Sequence, residues 1–597
     1  MPEISFHRII FIALIIGVIS GIGSLLFYIG LQAAILAVFA LLGYHMPAEG
    51  QTIDAITRWV PPDSLWTLFP ILCLGGLISG LIIFSLAPEA EGHGTDAAIR
   101  AFHGEGRIRK RIPFLKAITA IITIASGGSA GREGPAAQIS AGIGSMVAEY
   151  LGLSAHERRI ALASGIGAGI GAIFKAPLGG AILSAEVLYR NDFEVEAVIP
   201  SFLASIIAYA IFCSVEGFNT IFGETAIIWT VVQIPLFLLL GAMCAYLGRL
   251  YVKVFYGSQA FFQRLVTSTG LPPHLKPFLG AATMGVLLLA VATFVPSGEL
   301  LALGSIGSGY GFLQLGLYSM LPLSMLLCLP FLKIATTSLT IGSGGSGGVF
   351  APGLLIGGSF GGAIGMILHL LLPDIVGVAS IPIFVVIGMI ATFGSVSRAP
   401  LAVMIMVIEM TGNFSVLVPA MGAVAIAFLL VGDDTIYRAQ VENRSQSNAH
   451  RGEYNREILS QIQVAEAMAE RDTIITFSPQ DPASRVLAKI NETSHTGFPV
   501  LDDGHLVGMI TIGYFRSSQS PESHKAPVGT VMTRNLITIT PEATLEDALE
   551  LMMQNDIHHL PVVDPGNTAI MVGFLTRTDI MKGYMKHAAM AREPGGE

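Results

Sequence analysis

Up to about residue 440 the chain is a succession of apolar stretches with few polar breaks. Beyond it, short apolar runs alternate with amphipathic ones. Stretches almost free of charge cover residues 9–48, 65–88, 226–248, 278–298 and 375–397. A helix needs about 20 apolar residues to cross a bilayer, so each is expected to span one. Residues 334–373 form a further uncharged stretch, which glycine interrupts repeatedly. Shorter apolar runs lie at 136–148, 159–174 and 399–408. Short, glycine-broken segments predict helices that stop partway across, because irregular backbone at that depth is tolerated where protein or a watery cavity receives it. The uncharged run from Ile9 to Ala48 is far longer than a signal-peptide core of about 7–15 residues, so no cleavable signal is expected there.

The tail repeats a pattern. Val464–Met468, Gly497–Asp502 and Leu506–Thr511 are matched in order by Val528–Met532, His559–Asp564 and Met571–Thr576. Apolar runs alternate with helical stretches such as Leu545–Met553, which predicts a small α/β unit present twice. Composition places the seam between the two regimes. The chain of 597 residues is 52% hydrophobic and 13% charged, with mean hydropathy +0.67, against about 25% charged for globular proteins. From Val441 onward there are 13 Lys and Arg and 20 Asp and Glu, leaving 20 and 22 in the first 440 residues. A lipid-embedded part is followed by an acidic, water-soluble module. The expected divisions are a membrane domain over 1–440 with halves of about 1–220 and 221–440, a linker at 441–460, repeats at 461–520 and 521–590, and a tail at 591–597. Basic residues at Arg107, Arg109, Lys110, Arg111 and Lys116 suggest a cytoplasmic loop. Cys73, Cys213, Cys244 and Cys328 lie in apolar runs, with no disulfide framework or metal-ligand spacing.

Two glycine-rich interruptions carry the candidate chemistry: Gly127-Gly-Ser-Ala-Gly-Arg-Glu-Gly-Pro135 and Gly342-Ser-Gly-Gly-Ser-Gly-Gly-Val-Phe-Ala-Pro352. Each precedes a helical apolar run, and paired broken helices in two halves point to a transporter-type site. Helix amino ends expose unpaired N–H groups and carry about half a positive charge, so two converging ends make an anion site without a buried cation. Glycine alone also suits tight helix packing, and the embedded Arg132-Glu133 is what favours function. A carboxylate at membrane depth costs about 2.5–3.5 kcal/mol. Glu133 is therefore expected to be neutral, paired, or seated in the anion site, where its carboxylate would stand in for a permeant anion until one displaces it or protonation releases it. Arg132 is expected to be a structural charge partner.

These residues resemble the CLC family of chloride channels and chloride/proton antiporters. Gly131-Arg-Glu-Gly-Pro135 is similar to its gating-glutamate motif and Gly348-Val-Phe-Ala-Pro352 to its second anion-binding motif. Asp434-Thr-Ile-Tyr437 stands where the family places a central tyrosine. Phe174–Gly180 and Arg398–Leu401 through Glu409–Asn413 look like further signatures, so the likeness spans about residues 10–440. The tail resembles a tandem CBS pair. The resemblance implies an all-α, multi-pass inverted repeat with broken helices, followed by a cytoplasmic α/β CBS module. It implies a homodimer in the cell membrane with one pathway per subunit. Glu133 would be the gate, Val349 and Phe350 N–H groups with the Tyr437 hydroxyl would hold the anion, and Gly131, Gly134, Gly348 and Pro352 would shape the backbone.

Two departures matter. The family's first motif usually reads Gly-Ser-Gly-Ile-Pro, its serine touching the central anion. Here it is Gly92-His-Gly-Thr-Asp96, which places His93 at that position. A neutral imidazole donates one hydrogen bond and a protonated one attracts anions; alternatively His93 turns aside and backbone donors suffice. Secondly, the family's antiporters carry an inner proton glutamate about ten residues after the proline of Pro177-Leu-Gly-Gly180. That position is Val187, as in channel members, with Glu186 beside it as a structural carboxylate.

The expectation is therefore anion transport, most naturally of chloride, channel-like, gated by Glu133. The alternative is a chloride/proton antiporter with a non-standard proton path through water or His93. In the tail, Thr576 and Asp579 match the CBS nucleotide position and Tyr514 its counterpart in the first copy. That leaves an adenine nucleotide (ATP, ADP or AMP) and a purely dimer-stabilising role both open. No cofactor is required and no nucleic-acid partner is expected. A divalent-cation transporter would need clustered acids, and Glu133, Glu186 and Glu409 are widely separated. A membrane enzyme is disfavoured by the lack of H-E-x-x-H or G-x-S-x-G patterns.

Overall fold

The computed structural model describes residues 6–62, 64–223, 227–450, 459–493, 495–517 and 525–590. Parts of the expected linker, of the first repeat's end and the whole of 591–597 lie outside them. The chain divides into two compact units, Met1–Ala449 and His450–Glu597.

Unit one is helical. Helices of eight or more residues are numbered here in chain order. The first half has α1 Phe6–Leu41, α2 Leu68–Leu86, α3 Thr95–His103, α4 Ile112–Ala125, α5 Glu133–Tyr150, α6 Ala155–Ile173, α7 Pro177–Glu186 and α8 Val195–Glu216. Then come α9 Ile234–Thr269, α10 Lys276–Phe294, α11 Gly298–Ser305, α12 Tyr310–Leu317, α13 Leu323–Ile341, α14 Phe350–Leu371, α15 Ile381–Val396, α16 Pro400–Thr411 and α17 Leu417–Val431. Among the described residues nine helices are long and apolar enough to cross a membrane, or ten if α11 and α12, bent by 119° at their junction, count as one.

Proline sets several of these starts. Pro113, Pro177, Pro382 and Pro400 stand within the first two residues of α4, α7, α15 and α16, where a missing N–H costs nothing. The core is built from small residues. Almost all of α5 and α6 is buried, with faces of Gly, Ala and Ser that allow close helix contact.

Three expectations shift. The run at 9–48 is helical only to Leu41. The run at 226–248 becomes a helix that continues through Arg249 and Lys253 to Thr269. Lys116, read as part of a basic loop, lies inside α4 and is fully buried.

Unit two contains the doubled α/β pattern. A two-stranded antiparallel sheet pairs β2 Gly497–Asp502 with β3 His505–Thr511, packed with helix α18 Ala483–Thr493. A second sheet, ordered β1-β5-β4, pairs β1 Ala469–Glu470 and β4 His559–Asp564 with β5 Asn567–Thr576. The helices α19 Leu545–Gln554 and α20 Arg577–Met590 accompany it. The registers Phe498↔Ile510 and Leu560↔Leu575 place buried residues opposite one another on each core face.

Candidate functional site

Four glycine-rich loops meet inside unit one. Gly131 and Gly348 exchange two backbone hydrogen bonds, of 2.7 and 2.6 Å. Gly92 donates to the Gly345 carbonyl at 3.2 Å and accepts from Gly347 at 3.3 Å. Ala130 donates to the Gly307 carbonyl at 3.2 Å. Each loop opens a helix: α3 at Thr95, α5 at Glu133, α12 at Tyr310 and α14 at Phe350. Three of these loops, at 92–96, 127–135 and 342–352, stand out in the sequence. The loop at 307–309 was missed, although Gly307-Ser-Gly-Tyr310 is the counterpart of Gly92-His-Gly-Thr95. Both Gly94 and Gly309 have φ near +80° and directly precede their helices.

Two buried lysines hold the loops. Lys116 donates to the carbonyls of Ala90 and Gly92 at 2.9 and 2.7 Å. Lys333 donates to those of Ser305, Ile306 and Gly307 at 2.8–3.3 Å. Lys116 stands fifteen residues before Gly131 and Lys333 fifteen before Gly348, so these are equivalent positions of the two halves. Each ammonium satisfies carbonyls of a loop that would otherwise leave acceptors unpaired in a dry interior.

Glu133 is the first residue of α5 and is 3% exposed. Its Oε1 accepts from the Tyr310 hydroxyl at 2.5 Å. Its own N–H and that of Ala351, in the first turn of α14, bear on the carboxylate electrostatically. Oε2 meets no donor at hydrogen-bond geometry among the described residues. It curls back towards Gly131, where an added Cβ would come within 1.9 Å of it, and lies close to Gly348. Gly134 meets the His93 carbonyl so closely that a Cβ there would be 1.8 Å away. The side chain therefore rests against the opening of the helix begun by Val349 and Phe350. Arg132 does not pair with its neighbour. It donates to Glu49 at 2.7 Å and lies over the rings of Tyr28 and Tyr310.

The other candidates surround this point. Val349 caps α14, and its carbonyl accepts from Tyr251 at 3.2 Å. Phe350 and Pro352 are buried in the first turn. Tyr437 is 3% exposed and its hydroxyl lies beside the Thr95 side chain. Aromatic rings link these residues: His93 lies 5.4 Å from Tyr437, Tyr437 6.4 Å from Phe393, and Phe393 4.7 Å from Phe350. The His93 Nε2 lies 3.5 Å from Asp96 Oδ2, while Nδ1 is buried without a partner among the described residues. A cavity of about 570 Å³ reaches His93, Asp96, Arg100 and Gln138. Another of about 260 Å³ reaches Glu49, Arg132, Ser308 and Tyr310.

Val187 is not at this junction's donor set. It terminates α7, fully buried, and its carbonyl accepts from Gln440 at 3.0 Å. The adjacent Glu186 accepts from the N–H groups of Leu401 and Ala402 at 3.2 and 2.7 Å.

In unit two a cleft of about 460 Å³ is lined by both repeats, including Thr496, Phe498, His558, His559 and Asp579. Asp579 accepts from the N–H and hydroxyl of Thr576, at 3.0 and 2.6 Å, at the start of α20. Tyr514 occupies the same third helical position after Thr511 in the first copy. His559 stacks on Phe574 with rings 5.9 Å apart. Burial, with His558 and His495 nearby, pushes its pKa down to about 4.

Comparison with known proteins identifies the two kinds of domain. Residues 75–432 match the family described as voltage gated chloride channel, and residues 464–518 and 528–586 each match the CBS domain. The chain is similar to the H(+)/Cl(-) exchange transporter ClcA of Vibrio cholerae, 29% identical over 70% of this chain and 88% of that one. It is similar to the chloride channel protein CLC-f of Arabidopsis thaliana, 25% identical over 96% of this chain and 70% of that one. Its fold resembles that of a slow cyanobacterial Cl−/H+ antiporter, with TM-score 0.60 and 22% identity, covering 72% of this chain and 96% of that one.

Proposed function

Because the chain belongs to the voltage gated chloride channel family, whose members transport anions, we propose that it is a channel-like chloride pathway gated by Glu133. The observation that carries this is the position of the Glu133 carboxylate. It rests at the opening of α14, between Gly131 of the first half and the Gly348 loop of the second, where a permeating anion would compete with it. The first-turn N–H groups of Val349 and Phe350, with the Tyr437 hydroxyl, are the donors assigned to that anion. Dipoles and a hydroxyl bind an anion weakly enough to let it leave. The anion then either displaces the carboxylate or waits for its protonation.

Uncoupled passage is supported by Val187, an aliphatic side chain that cannot relay a proton, and by Glu186, whose carboxylate is engaged with the start of α16. One observation favours a second reading, coupled chloride/proton exchange. His93 stands in the ring of aromatic residues beside Tyr437, with Nε2 facing Asp96, and an imidazole there could carry protons in place of the missing carboxylate.

The orientation proposed puts the basic loop at Arg107–Arg111 in the cytoplasm. Arg159 donates to the carbonyls of both Gly104 and Ala449, so unit one ends on the face that carries that loop, and the tail is assigned to the cytoplasm. A homodimer with one pathway per subunit is carried over from the family. The cleft at Thr576 and Asp579 is assigned to an adenine nucleotide, with the cationic groups of Arg577 and Lys582 in its wall as phosphate partners. Chloride efflux from liposomes tests the main assignment. Wild-type protein should release chloride, Glu133→Gln should alter the rate and its pH dependence, and absence of any chloride flux would remove the assignment.

A further inference from the structure

Tyr310 is a residue that neither the gate motif nor the anion-binding motifs contain, and it makes the shortest polar contact of the gate. It is 1% exposed and starts α12 directly after Gly309. Its ring is fixed on several sides. Phe222 packs against it edge-on at 5.7 Å, and the Arg132 guanidinium lies over it at 5.3 Å. Behind it, Gly311 is pressed so closely on Pro47 that a Cβ would come within 1.8 Å of the Pro47 carbonyl. The Lys333 ammonium secures the loop before it through Gly307. A hydroxyl held this rigidly points at one place, and Glu133 Oε1 is there at 2.5 Å.

We propose that Tyr310 is the latch of the gate: its hydroxyl positions the Glu133 carboxylate in the closed conformation and sets the pH at which the gate releases. The inference rests on Glu133 being the gate. A phenol donating to an ionised carboxylate makes a bond roughly twice as strong as one to a neutral acceptor. The contact therefore stabilises the ionised, closed gate more than the protonated one, and protonation loosens it. Other groups bear on the pair: Arg132, itself paired with Glu49; Lys333 on α13; Tyr28 on α1; Tyr251 on α9; and Tyr437. Arg132 is committed to Glu49 and Lys333 to backbone carbonyls. Tyr310 is thus the side-chain donor bonded to the carboxylate.

The test is chloride flux as a function of pH in liposomes holding full-length protein, with pH varied on both sides. Tyr310→Phe keeps the ring and removes the donor. It should raise flux at neutral pH and move the midpoint of acid activation about one unit upward, a tenfold change in proton affinity or about 1.4 kcal/mol. A fluorotyrosine at position 310, a more acidic and stronger donor, should move the midpoint the other way. That comparison decides alone if Tyr310→Phe does not fold. Glu133→Gln should abolish the shift that Tyr310→Phe produces. If Glu133→Gln leaves the wild-type pH profile intact, the gate assignment itself fails. If that variant behaves as expected, yet the Tyr310 variants transport with midpoints superimposed on wild type, only the latch is overturned.

Discussion

Glu186 and Glu409 close the amino ends of each other's halves. Glu186, at the end of α7, accepts from Leu401 and Ala402 at the start of α16; Glu409, on α16, accepts from Leu178 and Gly179 at the start of α7, at 3.2 and 2.7 Å. Each carboxylate satisfies first-turn donors that have no intrahelical acceptor and lies at the positive end of a helix dipole. The two short helices are therefore locked as a reciprocal pair, and Glu186 is occupied in holding them. Glu186→Ala is expected to lower stability by about 2 kcal/mol, the scale of losing a charged cap, while leaving ion coupling unchanged. Thermal unfolding in detergent reads the first effect and reversal potentials the second; altered coupling would make Glu186 part of the transport path.

Gly134→Ala should be among the most damaging single changes in the membrane unit. The new methyl would have to displace the His93 carbonyl, a backbone atom 1.8 Å from its position, and overpacking of this kind costs about 1–3 kcal/mol or more. Because the displaced atom belongs to the loop of His93, flux should fall more than stability does. Gly257→Ala, on α9 with nothing within 4 Å, is the control and should be neutral or slightly stabilising. Equal behaviour of the two variants in size-exclusion and flux measurements would contradict the close approach.

His93→Ser returns a hydroxyl to the first motif. Nε2 faces an acceptor, Asp96, so the neutral ring leaves Nδ1 as a lone pair, which repels an anion; only the imidazolium offers a second N–H. His93→Ser should therefore raise chloride flux, because the hydroxyl supplies a donor where the neutral ring presents a lone pair. Unchanged flux in His93→Ser would exclude His93 from the path.

The cleft of unit two should weaken in mild acid. The folded-state pKa of His559, about 4, lies below its ordinary value near 6.5. Its contribution to stability is present above the ordinary value and is lost as pH falls towards 4. Hydrogen exchange in the full-length protein, corrected for intrinsic rates, should show β4 and β5 opening more readily at pH 5 than at pH 7. His559→Phe, which keeps the stack on Phe574, should reduce that difference, and an identical pH dependence in the variant would show that another group is responsible.

Much of the site was legible because it is written locally. Gly131-Arg-Glu-Gly-Pro135 and Gly348-Val-Phe-Ala-Pro352 each contain a loop and the helix it opens, so the convergence of helix ends could be anticipated. The tail's doubled strands were legible for the same reason. Tyr310 and Lys333 were not, because their roles depend on contacts with residues 177 and 26–28 positions away. Their counterparts Thr95 and Lys116 are disguised in turn: Thr95 differs in chemistry from Tyr310, and Lys116 sits next to loop cations. A charge pattern along one dimension does not separate a lysine bonded to carbonyls from one in water. Glu186 and Glu409 are a similar case, since each finds its donors in the opposite half.

Uncoupled chloride passage past Glu133 is tested most directly by one electrical measurement. Purified protein in a planar bilayer, under a fixed chloride gradient, gives a reversal potential that can be followed while a pH gradient is imposed. With Val187 in place of a proton carrier, the potential should track the chloride Nernst value at every pH gradient. A reversal potential that moves with the pH gradient would contradict channel-like passage and establish proton-coupled exchange instead.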